Sequence, residues 1–160
     1  MRKVIVNSTP LISLSKIGML EILQKEYEHI TIPKAVYDEV TFKNDIVKKK
    51  INGASWINVE EVKDNISKKM YKAKLHDGEV EVMILAQEWQ GEHLVIIDDG
   101  PARKTAEYLG LTLTGTLGVL IKAKNDGYID SVMRVIYQME QNGIYFSIGL
   151  KNQIRRLTNE

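Results

Sequence analysis

Short apolar runs alternate along this chain with longer stretches in which apolar residues recur every three or four positions. Residues 4–6 (VIV) form a β-branched run bounded by polar residues, which reads as a buried strand. Asn7-Ser8-Thr9-Pro10 follows, with Ser8 or Thr9 suited to an N-cap and Pro10 to the first helical position, so a helix is expected where the strand ends. Leu11, Ile12, Leu14, Ile17, Leu20 and Leu23 then keep near-helical spacing, and Gly18 breaks them into two short helices. Residues 30–32 make a minimal strand. Pro33 opens a helix over PKAVYDEVTF with Ala35, Val36 and Val40 towards the core, and residues 44–51 continue it in a lysine-rich form. Residues 56–62 (WINVEEV) alternate as an edge strand does, their acidic side chains blunting the edge.

Residues 63–76 are polar and basic, a helix or a mobile connection. EVEVMILAQEWQG is a strong helical pattern, with Asp77 placed to cap it and Gly91 to end it. The run at 94–97 (LVII) is the next buried strand, and Asp98 and Asp99 follow at once. Gly100 and Pro101 break that strand, 102–109 reads as a helix closed by Gly110, and 111–113 is a further short strand ending in Thr114, Gly115 and Thr116. Helices over 117–125, 131–141 and 147–157 complete the chain, the last capped by Ser147 and carrying an apolar stripe suited either to the core or to a partner. Strands alternating with helices predict an α/β fold, a right-handed and mostly parallel sheet with helices on both faces.

In such sheets ligands bind beyond the carboxyl ends of the strands, and this chain concentrates chemistry there. Strand tips and helix starts carry Asn7, Glu39, Glu79, Asp98, Asp99 and Thr116, with Glu81 close by. If the first and fourth strands are neighbours, Asn7 and Asp98 come together. Carboxylates crowded at one edge repel one another, and a divalent cation relieves that cost. Mg²⁺ suits oxygen donors and is commonly shared between one or two carboxylates and a phosphate, which points to hydrolysis of phosphodiesters.

Bland readings stand beside each of these. Glu79 and Glu81 in a first helical turn are what the helix dipole favours, and Glu39 fits a solvated helix face. His29, His76 and His93 lack metal-ligand spacing and read as loop residues. Ser8, Thr9, Thr114 and Thr116 have no evident base beside them, so a nucleophilic hydroxyl is not expected. Trp89 reads as core.

Composition narrows the classes. The 160 residues, 44% hydrophobic, suit one domain over 1–160. With 22 basic against 21 acidic residues, net charge gives no pull towards nucleic acid, so any such contact needs a local patch. Lys68, Lys69, Lys72 and Lys74 are the candidates, since they immediately precede the acidic helix. Absence of Cys excludes disulfides and thiolate chemistry. No stretch has the length of a membrane span or a signal-peptide core, and the expectation is a soluble cytoplasmic protein.

These residues resemble the PIN-domain ribonucleases, in particular the PIN-like group related to VapC-type toxins. VNSTPLISLSKIG, IPKAVYDEV, HDGEVEVMILAQE and IIDDGPARKTAEYLGLTLTGTLGVLIKAK look like that group's successive boxes, the last being the most specific. The resemblance implies a three-layer α/β/α sandwich, a Mg²⁺ or Mn²⁺ site, cleavage of RNA, a small antitoxin partner and a homodimer. It carries catalytic and metal-site roles onto Asn7, Glu39, Glu79 and Asp98, with Asp99 a further metal ligand and Thr116, Ser8, Glu81 and Arg103 in support. Arg103 is open to a salt bridge or a phosphate contact. Asn7 stands where most members have Asp, which opens the alternative of a weak or inactive member serving as a binding or regulatory module. A DNA-directed nuclease or phosphatase is a third reading.

Overall fold

The computed structural model describes residues 2–64, 68–69, 75–98 and 100–160. Its strands are β1 (Lys3–Val6), β2 (Ile30–Pro33), β3 (Ile57–Glu60), β4 (His93–Ile96) and β5 (Leu113–Thr114), ordered β3-β2-β1-β4-β5. Every pairing is parallel, so the sheet goes beyond the mostly parallel one expected. The first three strands advance in one direction and the fourth returns to the other side of β1. The crevice at which the strand order reverses therefore falls between β1 and β4. Their register aligns Val6 with Ile96, and the Asn7 N–H donates to the Ile96 carbonyl at 3.0 Å.

The helices are α1 (Ser8–Lys16), α2 (Glu21–Tyr27), α3 (Lys34–Thr41), α4 (Ile46–Asn52), α5 (Asp77–Glu88), α6 (Pro101–Tyr108), α7 (Thr116–Asn125), α8 (Val132–Gln141) and α9 (Ile148–Thr158). They flank the sheet as an α/β/α sandwich. α5 lies against β1, β2 and β4 and buries every residue from Val80 to Ala86. A helix apolar nearly all round belongs in a core, which explains why its sequence lacks a single stripe. Gly18 takes φ +71°, the left-handed turn that separates α1 from α2.

Several boundaries differ from the sequence reading, each for a local reason. Asn7 occupies the cap position of α1, so Ser8 begins the helix and Pro10 is its third residue, where no intrahelical N–H is needed. Pro33 ends β2 in extended conformation and α3 starts at Lys34. The lysine-rich segment is a separate helix, because the Asp45 carboxylate accepts from the N–H groups of Val47 and Lys48 at 3.0 and 3.2 Å. α5 is preceded by His76 and begins at Asp77; it stops at Glu88, before the expected Gly91, because Trp89 turns extended. Trp89 is 40% exposed rather than core: its indole donates to the Glu92 carbonyl at 2.9 Å and Lys3 Nζ lies 4.9 Å from its ring centroid. His93 sits in β4, not a loop, and its Nε2 accepts from the Thr112 N–H at 3.0 Å.

In α9 only Ile154 is fully buried among the stripe residues, while Ile148 and Leu157 face solvent. Glu160 ties this end of the chain to α8: its carboxylate accepts from the Ser131 hydroxyl and from the N–H groups of Val132 and Met133 at 2.9 and 3.2 Å, and pairs with Lys124 at 3.1 Å. Burial raises the Glu160 carboxyl, but the donors from Ser131, Lys124 and the α8 amides outweigh it and hold the group down at about 2. No helix among the described residues is long and apolar enough to cross a membrane.

Candidate active site

Two small clusters stand at the carboxyl edge, one on each side of the β1/β4 crevice. On the β2 side, the buried Ser8 hydroxyl donates to Glu39 Oε2 at 2.5 Å, linking the start of α1 to α3. Gly78 in α5 permits this approach, since a Cβ there would lie 3.1 Å from Val36 Cγ2 and 3.3 Å from Glu39 Oε2. One turn on, Glu81 is 4% exposed and fully engaged. Its Oε1 accepts from the Ala35 N–H at 3.0 Å, one of the donors a helix start leaves unpaired, and its Oε2 meets Lys68 Nζ at 2.6 Å. That hydrogen bond raises the Lys68 pKa. Glu79 Oε1 accepts from the His76 N–H at 3.0 Å, holding the entry to α5.

On the β4 side, Asp98 is half-buried and Thr116 buried. Asp98 Oδ1 accepts from the Thr116 N–H at 2.7 Å and Oδ2 from the Thr116 hydroxyl at 2.8 Å. Gly115 lets the strand tip pass close, since a Cβ there would stand 3.0 Å from Asp98 Oδ1 and 3.1 Å from Arg103 Nη1. Arg103 Nη1 donates to the Ile97 carbonyl at 2.8 Å and its Nε lies 3.5 Å from Glu107. The ion pair anticipated for Arg103 is thus present, with a backbone carbonyl added to it.

The expectation that the tip hydroxyls lack a base is corrected at two positions: Ser8 and Thr116 each touch a carboxylate. Both hydroxyls donate, so they orient Glu39 and Asp98 and leave the acids as acceptors. Lys68 is committed to Glu81, while Lys69 is exposed. Asp99, Lys72 and Lys74 lie outside the described residues.

Asn7, Glu39, Glu79 and Asp98 offer oxygen donors only, and so fit a hard divalent ion in kind. Among the described residues, no three His, Cys, Asp or Glu side chains come together closely enough to hold a metal by themselves. No pattern in the sequence discloses the groove beside Asp98, about 490 Å³ in volume, whose lining runs from Thr116 to Tyr145, Phe146 and Gln153. A loop residue such as Tyr145 has no periodic pattern to announce it.

A family model described as a PIN domain matches residues 3–160. No curated protein matches the chain.

Proposed function

Because the chain belongs to the PIN-domain family, whose members are generally nucleases acting on RNA, we propose that it is a metal-dependent endoribonuclease hydrolysing RNA phosphodiesters. One observation carries this reading: Asp98 lies just beyond β4, where the strand order reverses, with both carboxylate oxygens oriented by Thr116. Asn7, Glu39 and Glu79 join Asp98 as the catalytic set, and Asn7, Glu79, Asp98 and Asp99 are the metal ligands in this proposal. Held by these residues, Mg²⁺ or Mn²⁺ would supply charge neutralisation and activation of a water. The chain's own residues prepare the edge. Ser8 fixes the Glu39 rotamer, Glu81 anchors the start of α3, and Arg103 holds the Ile97 carbonyl and so the segment that leads to Asp98. Lys69, Lys72 and Lys74 are proposed to face the phosphate backbone. The toxin half of a toxin–antitoxin pair, with a small protein partner, and a homodimer remain parts of the proposal that rest on resemblance.

The test is cleavage of end-labelled single-stranded RNA with Mg²⁺ or Mn²⁺, by the parent and by Asp98→Asn. Cleavage that disappears in the variant and in EDTA supports the proposal, and equal cleavage by both proteins overturns the site.

Asn7 favours a second reading, a non-catalytic module. It is buried, with 7% exposure, and brings no charge to the crevice. A chain inactive until Asn7→Asp restores cleavage would support this reading over the first.

A further inference from the structure

We propose that the groove beside Asp98 is a nucleobase subsite, which takes the base next to the scissile phosphate and stacks it on Tyr145. The inference rests on the ribonuclease reading and adds to it the part of the substrate that is read.

One wall of the groove is the candidate active site itself, through Asp98, Arg103 and Thr116. Another part of the lining is apolar: Ile144, Phe146, Leu150 and Ile154 come from the turn between α8 and α9 and from α9. Its volume, about 490 Å³, lies within the range of small-ligand pockets. A ligand spanning both stretches needs a flat apolar part joined to a polar, anionic one, and a nucleotide has that division. Single-stranded RNA is recognised in this manner, by splayed bases stacked on aromatic rings and hydrogen-bonded at their edges.

Two side chains at the rim fit those tasks. Tyr145 lines the groove yet is 86% exposed, so its ring has a face to offer. Gln153 also lines it and is exposed, and its amide presents a donor and an acceptor to a base edge. Stacking supplies affinity with little regard to sequence, whereas Gln153 supplies preference between bases.

The experiment uses the full chain. Fluorescein-labelled oligoribonucleotides of single base composition, with their deoxy counterparts, are titrated by anisotropy into Asp98→Asn, alone and combined with Tyr145→Ala, Tyr145→Phe or Gln153→Ala. Cleavage is measured in parallel on the Asp98 background. Tyr145→Ala is expected to weaken binding roughly five- to a hundredfold and to raise KM with little change in kcat. Tyr145→Phe keeps the ring and is expected to restore both. Gln153→Ala is expected to flatten the base preference, and equal affinity for the deoxy series would mark a base site indifferent to the sugar. If the parent cleaves RNA while Tyr145→Ala leaves binding and KM unchanged, the subsite is overturned and the nuclease reading stands. Tyr145-dependent binding with no cleavage by the parent supports base stacking in the groove but overturns the nuclease reading and, with it, the placement beside a scissile phosphate. A parent that neither binds nor cleaves overturns both.

Discussion

Thr116 grips Asp98 with two groups at once, its backbone N–H at 2.7 Å and its hydroxyl at 2.8 Å, so the start of α7 fixes the carboxylate that lies just beyond β4. Thr116→Val keeps the shape and the N–H but removes the hydroxyl. The expected loss of cleavage is about 10- to 100-fold, the range seen when the partner of a site carboxylate is removed. Thr116→Ser restores the donor and should restore most of the rate. Equal rates in Thr116→Val and the parent would show that the hydroxyl does no orienting.

Gly78→Ala sets two effects against each other. Alanine improves the helix by about 1 kcal/mol at most, but the new methyl meets Val36 Cγ2 at 3.1 Å and Glu39 Oε2 at 3.3 Å. Val36 is fully buried, so its methyl cannot escape into solvent. Overpacking costs about 1–3 kcal/mol and wins. Chemical denaturation should show a net loss of about 1 kcal/mol, and cleavage should fall as Glu39 is displaced.

Lys68→Met leaves Glu81 as a buried carboxylate with, among the described residues, the Ala35 N–H as its remaining hydrogen-bond donor. The expected cost is about 2 kcal/mol, below the value for a wholly buried pair because Lys68 is partly exposed. The Lys68 pKa is raised in the folded state, so the pair's contribution is complete below about 10.5 and is lost as pH rises past the folded value. The difference in stability between parent and variant should therefore close in strong alkali. Lys68→Met paired with Glu81→Gln should recover part of the loss at neutral pH.

Glu160 behaves in the opposite direction. Its folded carboxyl sits at about 2 against an ordinary 4.5, so its stabilisation is present above 4.5 and disappears as pH falls towards 2. Glu160→Gln should cost about 2 kcal/mol at pH 7, the scale of hydrogen bonds to a charged group, and almost nothing at pH 2. Thermal melts of the two proteins across that interval test it.

Much of the fold was legible because parallel strands buried on both faces advertise themselves as short β-branched runs. VIV and LVII marked β1 and β4, and their adjacency was the condition on which Asn7 and Asp98 would meet. Helix ends were less legible, since Pro10 fits more than one position in a first turn and Trp89 stopped α5 before the glycine that was expected to. Within the candidate site, the residue types were readable and their partners were not. Nothing in sequence links Ser8 to Glu39 or Lys68 to Glu81, because those pairs exist only through the packing of α1, α3 and α5. Tyr145 lies in a turn between helices, where no repeat of apolar positions points to it.

The pairing of β1 with β4 also sets a timetable. β1 is made before its partner strands, and the segments that bear β2 and β3 must be made before His93–Ile96 can reach its other edge. At ribosomal rates of about 5–20 residues per second, that edge waits roughly 5 to 20 seconds for its partner. Until then the Asn7 N–H lacks its Ile96 acceptor and Asp98 does not yet exist. The crevice is thus assembled only after the segment bearing β4 has been made, and whatever chemistry it performs must await that strand.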